Sequence, residues 1–165
     1  MITEKEKYTL IVRNWLEKFL KEKYSKTNNI EIITLKSNIS KSTNNFIRKI
    51  INYSLMDFSP DMIGILESKT KKDIKIILLN RSIAPISVKE IGEMNLYSKL
   101  INSEMSFIVS SKGLPNEVNS LLLNDSIESS LLNYGNDRSI IILRLTDEGI
   151  IDKKTIFSRK FKNLF

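Results

Sequence analysis

The first apolar pattern along the chain is helical. Tyr8, Ile11, Val12, Trp15, Leu16, Phe19 and Leu20 recur every three or four residues, the spacing of one helix face. Thr3 and Glu6 stand ahead of them as a capping box, so a helix is expected near residues 3–24. Asn28-Asn29 breaks it, and Ile30 to Leu35 reads as a strand. Residues 36–45 mix Ser and Thr with Lys and Asn, the composition of a mobile loop. Phe46, Ile47, Ile50, Ile51 and Leu55 fit a short helix or a buried strand equally well.

The pattern then changes period. Residues 61–67 and 74–80 are near-continuous Ile and Leu, separated by the charged turn Lys69 to Asp73. Two such runs around a short polar turn predict an antiparallel hairpin, covered on both faces. Ser87-x-x-Glu90 is a second capping box. It opens a helix through about Ile101, with Val88, Ile91, Leu96 and Leu100 as its apolar stripe. Ser106 to Ser110 reads as a strand ended by Lys112-Gly113. Pro115 suits a helix start, continued by Val118, Leu121, Leu122 and Leu131. Gly135-Asn136-Asp137 turns into a strand from Ser139 to Leu145, and Asp147-Glu148-Gly149 turns again. The order implies an α/β fold, a mixed sheet flanked by helices. Residues 1–150 are expected to form one domain and 151–165 a basic tail. In that tail Phe157, Phe161, Leu164 and Phe165 recur between cations. Their spacing fits either a docking helix for a partner or self-association, or a segment that packs back on its own domain.

Composition narrows the chemistry. The chain has no Cys and no His. That removes disulfides, thiol nucleophiles, imidazole bases and zinc sites of the usual kind. A bound metal would need oxygen ligands, which favours Mg²⁺, Mn²⁺ or Ca²⁺. The formal charge of +7 suits contact with nucleic acid, DNA before RNA, or merely a soluble Lys-rich surface. No apolar run approaches the ~20 residues of a membrane span, and Met1 to Lys7 lacks the apolar core of a signal peptide. A soluble, cytoplasmic protein is expected.

The motif that organises these elements is Ser59-Pro60-Asp61 ahead of the strand 62–66, followed by the apolar run 76–79. Ile91-Gly92-Glu93-x-x-x-Tyr97 and Phe107-Ile108-Val109-Ser110-Ser111-Lys112-Gly113 come next. This ordered set resembles the PD-(D/E)xK superfamily, the restriction-endonuclease-like nucleases, including RecB-like and resolvase-like members. The resemblance implies a restriction-endonuclease-like central mixed sheet in the order αβ(x)ββαβαβ, and a metal-dependent nuclease ancestry. It implies Asp61 as a metal ligand, and an acidic residue and a Lys two positions apart at the end of the second strand. Those positions hold Asn80 and Ser82. Neither supplies the charge the pattern requires, and Arg81 between them should point to the opposite face. Glu67-Ser68-Lys69 cannot replace them: Asp61 and Glu67 stand at opposite ends of one strand, roughly 20 Å apart. A hairpin turning near Thr70-Lys71 instead sets Asp61 opposite Asn80. Gly64 to Thr70 ends like a phosphate-binding loop but lacks the Gly before its Lys.

Several residues therefore carry a functional and a structural reading. Asp61 is a metal ligand or an Asx turn after Pro60. Glu93 is a second ligand brought from the helix, as the resemblance allows, or a solvated helix charge. Tyr97 stacks on a base or packs on the sheet. Lys36, Lys41, Arg48, Arg81, Lys89 and Lys112 contact the nucleic-acid backbone or solvate the surface. Three functions remain. One is a nuclease-fold nucleic-acid-binding protein with a decayed catalytic site. The second is an active nuclease using Mg²⁺ or Mn²⁺ at Asp61 and Glu93. The third is a protein-interaction subunit without catalysis.

Overall fold

The protein is described by a computed structural model covering residues 2–165, so that Met1 lies outside the described residues. Helix α1 spans Glu4–Tyr24 and strand β1 Asn28–Thr34. Strands β2 (Met62–Ser68) and β3 (Ile74–Ser82) follow, then helix α2 (Val88–Ile101) and strand β4 (Met105–Ser110). Helices α3 (Asn116–Leu122) and α4 (Asp125–Leu132) lead to strands β5 (Asn133–Gly135) and β6 (Arg138–Arg144). The six strands form one sheet in the order β1-β2-β3-β4-β6-β5. β1, β2 and β3 run antiparallel, whereas β4 is parallel to β3 and to β6. The chain is thus an α/β fold with a mixed sheet and helices on both faces.

Each element follows from its local chemistry. The capping boxes at Thr3/Glu6 and Ser87/Glu90 are both formed. In α1, Tyr8, Val12, Leu16 and Leu20 lie four apart and are buried. They cover Met62, Leu66, Ile77, Leu79, Phe107 and Val109 on one face of the sheet. Burying each such side chain stabilises the fold by ~1.5–3 kcal/mol. The other face holds Ile63, Ile65, Ile76, Leu78, Ile108 and Ile142, under Ile91 and Met94 of α2 and Val118 of α3. The alternation along β2 and β3 thus feeds two cores, which explains why both runs are apolar throughout.

Leu20 of α1 packs directly on the sheet at Gly64. A Cβ there would stand 3.0 Å from Leu20 Cδ1 and 3.1 Å from Ile77 Cβ. The leucine tip can yield, but the branched Cβ cannot. Gly64→Ala should lower stability by about 1–3 kcal/mol through overpacking, measured as a shift in the denaturant midpoint at constant slope.

Four expectations need correction. Residues 36–45 are not a free polar loop: Ile39–Lys41 form a 3₁₀ turn, Ile39 is buried, and its N–H bonds the Phe58 carbonyl at 2.9 Å. One buried isoleucine within a polar stretch outweighs its composition. Residues 46–55 are neither helix nor strand but two 3₁₀ turns, Ile47–Lys49 and Tyr53–Leu55. The helix expected from Pro115 through Leu131 is two helices, because the Asn124 side chain caps a new start by accepting from Ser126 and Ile127. The stripe named for α2 is also mostly wrong. Val88, Leu96 and Leu100 are exposed, and the buried face is Ile91, Met94, Asn95, Ser98 and Ile101. Asn95 is tolerated there because its amide donates to the carbonyls of Leu131 and Asn133. Ser98 bonds Ser106 at 2.7 Å. Strand β5 has no counterpart among the expected elements.

The residues after 150 pack on the domain itself. Ile156 and Phe157 are buried, and Phe157 bridges to Ile142 of β6. Arg159 binds Glu128 and Asp125 of α4. Phe161 and Phe165 join the core under α1. The segment Arg159–Leu164 is a 3₁₀ helix rather than an α-helix.

Candidate functional site

The site the sequence singles out sits where β2 begins and β3 ends. The β2–β3 register pairs Met62 with Leu79, so one step further sets Asp61 across from Asn80. The Asp61 N–H donates to Asn80 Oδ1 at 3.3 Å, and Asp61 Oδ2 accepts from the Arg81 N–H at 2.8 Å. The Leu35 N–H donates to the Asp61 carbonyl at 3.0 Å, which ties in the exit of β1. One aspartate therefore fastens the ends of three strands.

Arg81 completes the arrangement. It follows Ile77 and Leu79 in the alternation, so its side chain leaves β3 on the α1 face. The guanidinium still reaches around the sheet end, with Nη2 3.6 Å from Asp61 Oδ1. The Arg81 side chain is 11% exposed and that of Asp61 31%. Arg81 Nε is buried and has no hydrogen-bond partner. Tyr8 lies nearby on α1 and donates to the Leu145 carbonyl at 3.0 Å. Burial pushes its phenol above the usual range, Asp147 adds to that, and Arg81 opposes it.

The remaining candidates have separate occupations. Ser82 Oγ accepts from the Ala84 N–H at 3.0 Å, a turn within the β3 exit. Tyr97 stacks on Phe58, with ring centroids 4.0 Å apart and planes 10° apart. Glu93 is exposed on α2. Lys36 follows β1 beside Asp61 and is exposed. Lys112 stands at the same sheet end, since the Ser111 N–H bonds the Ser82 carbonyl. Lys89 lies in the first turn of α2, three residues after Ile86, whose N–H bonds the Gly113 carbonyl. Lys41 is exposed on the first 3₁₀ turn. Arg48 is displaced from this edge: its neighbour Lys49 lines a hollow with Lys72, Asp73 and Ile74 at the hairpin end.

The charge beside Asp61 opposes a divalent ion. Mg²⁺ and Mn²⁺ require anionic oxygens with free lone pairs. At Asp61 those oxygens already accept an N–H and face a guanidinium, and Asn80 offers only a neutral oxygen that is itself engaged. No group of three or more Asp, Glu, His or Cys side chains able to hold a metal occurs among the described residues. No described helix is long and apolar enough to cross a membrane.

Sequence reasoning missed Tyr8 and the closing contact of Arg81 with Asp61. A lone Arg between Asn80 and Ser82 was the available signal. The alkaline limb of stability tests the buried phenols. Burial raises Tyr8, Tyr24 and Tyr134, Tyr24 to about 12. A phenol raised in the folded state gives stability that is full below its unfolded pKa, near 10, and is lost as pH rises through the folded value. The denaturant midpoint should therefore fall steadily between about pH 10 and 12. Tyr8→Phe should flatten part of that slope.

No protein-family model matches the chain, and neither curated proteins nor solved structures give a significant match.

Proposed function

We propose that this chain is a nucleic-acid-binding protein with a restriction-endonuclease-like fold and a decayed catalytic centre. The observation that carries the proposal is the register at the sheet edge. An Asp opens β2 and lies across from Asn80, near the end of β3. That strand pair is followed by a helix and a parallel strand. In the nuclease pattern this is where acid and Lys act together on metal and water. Here Asn80 and Ser82 stand at those positions, and Arg81 neutralises the remaining acid. The net charge of +7 supports phosphate binding without base readout. DNA in the cytoplasm is the partner that goes with this reading, and no divalent ion is needed.

The test joins binding to cleavage. Duplex, branched and single-stranded DNA, with matching RNA, are titrated at low and moderate salt. Plasmid is incubated with Mg²⁺ or Mn²⁺ in parallel. Binding to at least one probe should fall steeply with salt, and nicking should not exceed the protein-free control. Losing one positioned catalytic group costs ~10²-fold or more, and two are replaced here. Absence of binding to every probe would reject the proposal. Metal-dependent cleavage lost in Asp61→Asn would reject the decayed centre and restore the active reading. Asn80→Glu with Ser82→Lys and Arg81→Ala should create cleavage if the ancestry is right.

A further inference from the structure

The sheet has two ends, and they differ in charge. At the Asp61 end, Arg81 is matched by Asp61 and Arg144 by Asp152, both at 3.6 Å. Lys89 has Glu90 and Glu93 beside it in sequence, and Asp147 and Glu148 close the same end. The hairpin end is built otherwise. The turn after α1 and the β2–β3 turn are bonded together: the Lys69 N–H donates to the Thr27 carbonyl at 3.0 Å, and Lys69 Nζ to the Ser25 carbonyl at 2.6 Å. This brings Lys26, Lys69, Lys71 and Lys72 to one rim, all exposed. Lys49 lines a hollow with Lys72, and Arg48 stands next to it. Glu67 and Asp73 are the carboxylates beside these six cations, Glu104 at the same end is taken by Lys75 at 2.9 Å and Arg138 at 3.6 Å, and no salt bridge engages any of the six among the described residues.

We infer that the hairpin end of the sheet, rather than the Asp61 edge, is the surface that binds the phosphate backbone of nucleic acid. The inference rests on the nucleic-acid reading above and moves its contact surface. Lysines outside any salt bridge, on two turns tied together through Lys69, attract a polyanion and release its counterions. At the other edge Arg81 and Arg144 are matched by Asp61 and Asp152, and the unpaired Lys36 and Lys112 stand there as the rival surface. Nucleic acid fits better than an anionic bilayer. The two turns that carry Lys26, Lys69, Lys71 and Lys72 hold no apolar side chain to insert in a membrane interface; the exposed Ile51 and Leu100 border Lys49 outside them.

The experiment compares two double variants. Lys71→Glu/Lys72→Glu alters the hairpin end, and Lys36→Glu/Lys112→Glu the Asp61 edge. Lys69 is left intact because its ammonium joins two turns. Anisotropy of a fluorescent duplex and of its single strand is measured over a salt series. The hairpin variant should bind roughly tenfold more weakly, or worse, at low salt. Its log–log salt slope should shrink by about 2, since each phosphate that a lysine neutralises adds about 0.9. The edge variant should stay within about twofold of the parent. Circular dichroism checks folding, and Lys71→Gln/Lys72→Gln serves if charge reversal unfolds the chain. If the parent binds but the hairpin variants match it, or if the edge variant alone loses affinity, the inference is overturned and the function stands. If the parent binds no probe, the function falls and the inference with it. Binding to phosphatidylserine vesicles in preference to nucleic acid also overturns it.

Discussion

Asp61→Ala should destabilise the fold by about 2–3 kcal/mol, a large loss for a side chain at a sheet edge. Removing one partner of a buried ion pair costs about 3–5 kcal/mol, and the partial exposure of Asp61 brings the figure below that range. Two things are lost together. The Arg81 N–H loses its acceptor at 2.8 Å, and the guanidinium keeps its charge in a site that leaves it 11% exposed. Arg81→Met should cost less, because it removes the charge that needs matching. The double variant Asp61→Ala/Arg81→Met should be more stable than the two losses added, the mark of direct coupling. Denaturant midpoints at equal slope measure all three. A loss below about 0.5 kcal/mol would mean a solvated surface pair. The midpoint of the parent should not move with added Mg²⁺, because an ion that binds only the folded state would raise it.

Ending the chain after Thr155 should leave it unfolded or loosely packed at room temperature. Ile156 and Phe157 are buried, and deleting either from a core costs ~2–5 kcal/mol. Arg159 would leave with them. Glu128, whose side chain is 10% exposed, would lose both the Arg159 guanidinium and its backbone N–H. A native domain holds only ~5–15 kcal/mol in reserve. Loss of near-UV circular dichroism and of a cooperative melt would record this outcome. A cooperative melt close to that of the parent would show that residues 156–165 are a dispensable appendage.

Much of the fold was legible, and the reasons are local. Capping boxes are short-range chemistry, so both helix starts at Thr3 and Ser87 could be read directly. The β2–β3 hairpin announced itself by period and turn, and its spacing alone set Asp61 opposite Asn80. What failed depended on distant partners. Leu96 and Leu100 looked like core because leucine usually is, yet the α2 face that meets the sheet includes Asn95 and Ser98. Those polar groups are buried only because carbonyls of residues 131 and 133 and the Ser106 hydroxyl wait for them. Ile39 was hidden in a polar stretch, and no local pattern marks a single anchoring side chain. At the candidate site the pairing of Asp61 with Asn80 could be read, but the reach of Arg81 around the strand could not. Alternation fixes where a side chain starts, whereas a long guanidinium chooses its own end point.

The aromatic cluster under α1 bears on the order of folding. Trp15, the single tryptophan, stands edge-on to Phe107 at 5.4 Å and lies 6.3 Å from Phe165. Phe19 stacks on the same Phe165 at 5.4 Å. Helix α1 can form in microseconds from its own capping and spacing. Its indole meets Phe165 only after nearly the entire chain has been brought back on itself. Contacts so distant in sequence close late and slow the overall rate. Emission from Trp15 in a stopped-flow refolding experiment therefore acts as a clock for ring closure. Its final change should lag behind the far-UV signal of the helices, with the interval marking the arrival of the aromatic end of the chain against the first helix.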